Sequence, residues 1–465
     1  MSTPYWVQDA IFYQIFPDRF ANGDPRNDPP NLQPWGSPPT SWGFQGGDLR
    51  GILQHMDYLL GLGITAIYLN PIFAASTTHR YNTSDYYRID PKLGDFQDFL
   101  DLIDAAHRNS IRVILDGVFN HCGRGFFAFM DAMESGENSP YKDWFHIRQF
   151  PLNAYGSGDS PNYECWWNNR SLPKLNTDTP AVRKYLLDVA RYWIEQGADG
   201  WRLDVPNEIN DDAFWEEFRH VVKSANRDAY LLGEIWDVNP RWANDTHFDG
   251  LMNYPIRDAL VPLLQGRENL SQFNDRLEKF FKAYRRENIY AMYVMLSTHD
   301  TERIKTLMGN DVDKVKLLFQ FQMAFPGAPA VYYGDEIGLE GERDPDCRRA
   351  FPWKEATWNR ELNQWVRRLI AMRKRMPILR HGEYIRLVAD NDLYAYGRTL
   401  GDESFVMAMN PTGQKRQISI PCSKLKWLDG QSIHNLLDGQ AYSPAGGKLK
   451  IELPVWGGAW LGRPD

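Results

Sequence analysis

Short apolar runs alternate with longer amphipathic stretches over most of the chain. Eight runs, rich in apolar or β-branched residues, read as strands: AIFYQIF (10–16), ITAIYLN (64–70), RVILDGVF (112–119), GWRLDV (200–205), YLLGEIW (230–236), GLMNYPI (250–256), YVMLSTHD (293–300) and APAVYYG (328–334). Between them, segments such as FQDFLDLIDAAHRN (96–109) and AVRKYLLDVARYWIEQG (181–197) carry apolar residues at helical spacing. Eight strands joined by helical crossovers predict a closed α/β barrel of the (β/α)8 (TIM) type. The sixth run has the weakest pattern. About sixty residues rich in Trp, Tyr, Gly and Asn separate Asn120 from the helix beginning near Pro180. A structureless loop of that length conflicts with a compact barrel, so an inserted subdomain over 121–176 is expected on the C-terminal rim, as one wall of a site. After a helix near 360–376 the texture changes to short alternating segments (YIRLVA, DLYAYGRT, SFVMAMN, KLKIELP, GGAWLG) split by Gly, Pro, Asn and Asp. These predict a C-terminal antiparallel β-sandwich over 382–465, leaving 1–120 and 177–381 for the barrel.

Composition narrows the function classes. The chain has 465 residues, 43% hydrophobic and 24% charged, with a net charge of -8; these are ordinary values for a globular protein. No run of Lys and Arg is long enough for a nucleic-acid footprint, and no stretch approaches the ~18 apolar residues of a membrane span. The start, MSTPYWVQDAIFYQ, lacks the basic and apolar regions of a signal peptide. The four Cys (122, 165, 347, 422) form no CxxC pattern and read as free thiols of a cytoplasmic protein. A Cys122–Cys165 bridge is the alternative.

Three stretches carry the candidate chemistry: DGVFNH (116–121), GWRLDV with GEIW (233–236), and STHD (297–300). Each sits where a parallel barrel presents its strand C-terminal ends, the edge on which such barrels carry active sites. Taken alone, Asp204 fits a helix cap or a salt bridge, and Glu234 fits a buried partner for Arg202. Taken together, Asp204, Glu234 and Asp300 suit glycoside hydrolysis, in which one carboxylate attacks and another delivers a proton. Arg202, two residues before Asp204 on the same strand face, is placed to keep that Asp ionised.

The ordered set QIFPDRFANGDPRNDP (14–29), DGVFNH, LPKLN (172–176), GWRLDVPNE (200–208), GEIW, STHDTER (297–303) and PGAPAVYYGDEIG (326–338) resembles α-amylase-type glycoside hydrolases of the cyclomaltodextrinase, neopullulanase and maltogenic amylase group. The resemblance runs from about Ala10 to the C-terminus. It implies Asp204 as nucleophile, Glu234 as acid/base and Asp300 as the third carboxylate, binding sugar hydroxyls. It implies sugar contacts from His79, Tyr81, His121, Arg202 and His299. Asp344 and Arg348 would close the glycone side, and Asn207, Glu208 and Trp236 would line the aglycone side. Asp116 and Asn120 are expected to brace Arg202 and the insert; Trp166 and Trp167 fit either the cleft or the subdomain interior. Asn22, Asp24, Asn27 and Asp28, with Gly46 and Asp48, offer oxygen ligands in a tight turn, as a hard cation needs. A solvated turn explains that spacing equally well, and it is the resemblance that implies a structural calcium.

Relatives in this group commonly carry a β module before the barrel and dimerise through it. This chain begins almost at the first strand, and Pro206 stands where the group often has a small residue. Both differences imply a more open aglycone side and a monomer, or a homodimer paired through another surface. The expected activity is retaining hydrolysis of α-1,4 and α-1,6 bonds in maltooligosaccharides or branched α-glucans. Transglycosylation, or preference for small cyclic dextrins, is the alternative. A non-catalytic sugar-binding barrel would be expected to have lost one of the carboxylates.

Overall fold

A computed structural model describes residues 3–389 and 393–464. Eight strands form one sheet with every neighbour pair parallel: Phe12–Ile15, Ala66–Leu69, Arg112–Gly117, Gly200–Leu203, Tyr230–Gly233, Gly250–Leu251, Tyr293–Met295 and Ala328–Tyr332. The first strand pairs with both the second and the eighth. A parallel bridge between Met252 and Tyr293 joins the sixth to the seventh, so the sheet closes into the expected (β/α)8 barrel. Inward residues fill it as a small separate core, including Phe12, Tyr68, Ile114, Leu232, Met252 and Tyr293.

The crossover helices follow from the sequence pattern. Helix Phe96–Arg108 buries Phe99, Leu102, Ile103 and Ala106 on one face, and Asp95 with Asp98 forms a reciprocal capping box at its start. Helix Pro180–Glu195 buries Val182, Leu186, Val189 and Trp193, the spacing of one helical stripe.

The sixth strand corrects the sequence reading. It ends at Leu251, not Ile256, because Asn253 caps a helix over Tyr254–Leu264 through its bond from Ile256 N, and Pro255 has no N–H to continue a ladder. A hairpin of Phe73–Ala75 with Thr83–Ile89 follows the second strand; the sequence pattern did not separate it. After the third strand, the segment following His121 contains a helix, Phe127–Ser135, and isolated antiparallel bridges such as His121–Lys174 and Phe145–Leu175. Phe129 packs at ring distances of 5.0 Å on Phe145 and 5.1 Å on Tyr163, and all three join the large core that the barrel helices form.

At the C-terminal end, a six-stranded sheet (Glu383–Ala389, Tyr394–Leu400, Glu403–Asn410, Gly457–Gly462, Ile433–Asn435, Ala441–Tyr442) faces the pair Arg416–Pro421 and Lys448–Leu453. Ala395, Val406 and Ala408 of one layer meet Ile418, Ile420, Leu449 and Ile451 of the other. The other face is tied to the barrel: Trp460 donates to Gln320 O at 3.3 Å and Arg398 to Ala324 O at 2.8 Å.

Candidate active site

The centre of the site is a buried guanidinium. Arg202 lies on the fourth strand, wholly out of solvent. Its Nη1 donates to Asp116 Oδ1 and to Asp204 Oδ1, both at 2.9 Å, and its Nη2 lies 2.8 Å from Glu234 Oε2. Strands three, four and five therefore each deliver one carboxylate to one cation. Residue 205 then turns sharply: Val205 has φ 36° and ψ 51°, a left-handed conformation costly for a β-branched residue. That turn aims Val205 N at Glu234 Oε2, 3.0 Å away. The other Glu234 oxygen accepts from Trp236 Nε1 at 3.2 Å. Trp236 stacks on Tyr254 with centroids 3.7 Å apart while staying 45% exposed.

Asp300 approaches from the end of the seventh strand. Its carboxylate meets His299 Nε2 at 3.0 Å and Arg348 Nη2 at 3.3 Å. Arg348 also pairs with Asp344 at 3.0 Å and donates from Nε to His299 O at 2.9 Å. The eighth connection thus clamps the seventh strand end. His299 has a settled tautomer. Gln14 Nε2 donates to its Nδ1 at 2.9 Å, which leaves the proton on Nε2, facing Tyr81 OH and Asp300. Tyr81 OH donates in turn to Asp116 Oδ2 at 2.8 Å, and Tyr68 OH donates to the same oxygen at 2.6 Å. His79 and Tyr81, in the loop of the hairpin, stack at 5.9 Å, and Tyr81 stacks on His299 at 5.4 Å.

On the insert side, His121 is buried and stacks on Trp166 at 5.4 Å. Asn120 supports its Nδ1 at 3.2 Å, while its Nε2 has no hydrogen-bond partner among the described residues. Trp166 stacks on Trp167, which is 74% exposed and donates to Glu208 Oε1 at 3.3 Å. The two tryptophans therefore extend a ladder from His121 to the outer rim. Asn207 is exposed on the turn Pro206–Glu208.

Electrostatics follow from this crowding. Burial pushes Asp204 well above the usual carboxylate range; Arg202 pulls it down, and the charges of Glu234, Asp116 and Asp300 push it back up. Burial likewise pushes Asp300 up to about 7 against the pull of Arg348, tempered by the 30% exposure its side chain keeps. Acids outnumber the two guanidiniums here, and this excess of negative charge adds to burial in raising Asp204 and Asp300. Burial lowers His79 and His121 to about 3, and His299 well below its ordinary value, with Arg348 adding to the effect at His79 and His299. All three imidazoles are therefore neutral hydrogen-bonding groups.

Sequence reasoning missed Gln14, Tyr68, Tyr254 and Asn70, whose Nδ2 donates to Tyr81 OH at 3.2 Å. Gln14 is the clearest signal overlooked: a polar residue within an otherwise apolar buried strand.

The loop at 22–48 gathers the predicted metal ligands. Asn22 Nδ2 donates to Asp28 Oδ1 at 2.8 Å, and Asp48 accepts from Gly23 N, Asp24 N, Gly51 N and Asn27 Nδ2. Gly46 has φ 85°, and a Cβ there would meet Asp28 Oδ1 at 2.5 Å. Asn22 Oδ1 and Asn27 Oδ1 are buried with no hydrogen-bond partner among the described residues, a donor set that fits a hard cation. The Asp24 carboxylate instead pairs with exposed Arg26 at 2.7 Å. No group of three or more His, Cys, Asp or Glu side chains among the described residues is arranged to hold a metal, so carboxamide oxygens carry much of the fit.

Residues 14–377 match the alpha amylase catalytic domain, and residues 385–460 match the maltogenic amylase C-terminal domain. A cyclomaltodextrinase of Geobacillus thermopakistaniensis is 45% identical over 98% of this chain and 77% of its own length. A cyclic alpha-maltosyl-(1→6)-maltose hydrolase from Arthrobacter globiformis, solved with that sugar, superposes with a TM-score of 0.91 at 39% identity, covering all of both chains. The debranching enzyme from Nostoc punctiforme gives 0.90 at 40% identity, again over both full chains. With this fold and these two domain matches, the chain belongs to the alpha-amylase family of glycoside hydrolases.

Proposed function

We propose that this protein is a retaining α-glucan hydrolase that cleaves α-1,4 and α-1,6 glucosidic bonds, with Asp204 as nucleophile and Glu234 as acid/base. The observation that carries the reading is the convergence of Asp204 and Glu234 on one buried guanidinium at adjacent strand ends. Arg202 holds negative charge on Asp204, which attacks the anomeric carbon. Glu234, held by Val205 N and Trp236 Nε1, gives its proton to the leaving oxygen. A covalent β-glucosyl-enzyme forms, and water deprotonated by Glu234 releases an α product. Asp300, with His299 and the unpartnered Nε2 of His121, binds hydroxyls of the distorted sugar. Trp236, Glu208 and the exposed Trp167 line the leaving-group side. The α-1,6 component draws support from the Arthrobacter and Nostoc structures, whose names specify a (1→6)-linked sugar and debranching.

Asn22, Asn27, Asp28 and Asp48 are proposed to hold a calcium ion that fastens the long first connection. A cytoplasmic setting is proposed as well; all four Cys are free, which suits a reducing compartment, and no helix among the described residues is long and apolar enough to cross a membrane.

The test is the product profile from a branched maltooligosaccharide, beside an Asp204→Asn control. Release of an intact linear side chain and of short α-1,4 fragments is expected. A branch that persists through complete digestion removes the α-1,6 activity, and equal turnover by the control removes Asp204 as nucleophile.

A further inference from the structure

We infer that the groove between the barrel's outer helices and the C-terminal sheet is a second binding site for an α-glucan chain, separate from the site of cleavage. The inference takes the ligand class from the proposed function. The groove is ≈540 Å³ and lies between helix Val312–Ala324, helix Arg360–Arg375 and the turn that enters the last strand. None of its residues belongs to the site around Arg202.

Three observations point to a ligand. First, Gln320 lines the groove at 2% exposure, and its Nε2 has no hydrogen-bond partner among the described residues. A buried amide N–H without a partner costs free energy unless something docks on it. Gly458 permits this placement: a Cβ there would come within 3.0 Å of both terminal atoms of Gln320. Second, Trp365 and Trp456 both line the groove. Trp456 is held in a left-handed conformation, φ 46°, which is strained for an aromatic residue, and the Lys314 ammonium sits over its ring at 4.1 Å. Aromatic rings bordering a groove suit a flat sugar face, whose axial C–H groups pack on an aromatic π surface. Third, the charges lining the groove nearly balance, Asp313 and Glu361 against Lys316 and Arg368, with the Lys314 ammonium over Trp456 as one further cation. Lys316 pairs with Glu361 and lies 3.8 Å from Asp313, and Arg368 supplies the second cation. A nearly balanced, polar and aromatic groove selects a neutral polyhydroxylated ligand over an anion or a cation. The neutral polymer at hand is the enzyme's own substrate, which a second site would hold while its chain ends are cut elsewhere.

The test is calorimetric titration of the full-length Asp204→Asn protein with maltoheptaose, with and without Trp456→Ala. Two binding events per chain are expected, falling to one in Trp456→Ala and returning to two in Trp456→Phe, which keeps an aromatic face. In the otherwise unaltered enzyme, Trp456→Ala should leave kcat/KM on a short maltoside within about twofold of the parent, which also shows that the variant folds. A single event in Asp204→Asn, or a second event indifferent to Trp456→Ala, overturns the inference. The hydrolase reading fails separately: an unaltered protein that binds maltoheptaose through Trp456 but never cleaves it keeps the second site and loses the proposed activity.

Discussion

Replacing Arg202 by Met tests the electrostatic core of the site. The substitution roughly preserves side-chain length and removes a guanidinium that contacts Asp116 and Asp204 at 2.9 Å and Glu234 at 2.8 Å, with no solvent exposure. Removing one partner of a buried ion pair costs about 3–5 kcal/mol. At about 1.4 kcal/mol per tenfold, that is a loss between about a hundredfold and several thousandfold if it falls on the transition state. The carboxyls have an escape, which is to take up protons. Asp204 already feels burial and three acidic neighbours pushing it up, opposed by Arg202. Without the cation Asp204 holds its proton to higher pH and attacks less readily at neutrality. The expected signature is therefore a large fall in kcat near neutrality, partly recovered as pH rises. Arg202→Lys, which keeps one charge but not the fork, should fall in between. Initial rates on a maltooligosaccharide from about pH 5 to about pH 9 give the profile, and thermal unfolding separates catalysis from folding. A folded Arg202→Met enzyme within about tenfold of the parent, with an unmoved pH profile, refutes the reasoning.

Further predictions concern acid stability, the loop and the rim. His121 titrates at about 3 when folded, against about 6.5 when unfolded. Its contribution is complete above pH ~6.5 and is lost as pH falls towards ~3, because the unfolded chain alone takes up the proton, roughly 3–6 kcal/mol in full. Denaturant midpoints should fall through that window, and less steeply in His121→Asn. Removing divalent ions with a chelator should lower Tm, with calcium restoring it, since a ligand at a hundredfold excess over Kd stabilises by about 2.7 kcal/mol; Asp28→Ala should abolish the response, whereas an unchanged parent Tm rejects the calcium. Trp236→Ala should raise KM for long substrates by about tenfold, the scale of a lost aromatic stack, and a change in kcat alone would count against its role as a leaving-group platform.

Much of the barrel was legible because its strands are short apolar runs whose ends carry charge. VILDG, GWRLD and LLGE each place an acid where the ladder stops. The sixth strand was overread because Met252, Tyr254 and Ile256 are all buried, and apolar residues cannot by themselves separate a strand from a following helix; Asn253 was the stop signal. The network around the acids was less accessible. Gln14 and His299 lie 285 residues apart, and only closure of the sheet between first and eighth strands brings them together. Tyr254 is a helix-start residue that becomes a floor for Trp236, a role no local pattern encodes. The length of the third connection pointed to an insert, but the ladder from His121 through Trp166 to Trp167 depends on positive φ at Trp167 and Asn168, which neither residue type announces.

The central claim is double displacement at Asp204. Proton NMR of the sugar released in the first moments of hydrolysis tests it most directly, because the anomeric signals report configuration before mutarotation. The α anomer should appear first and the β anomer only later, with neither forming in Asp204→Asn. Initial release of the β anomer would contradict the assignment and require a water, not Asp204, as the attacking group.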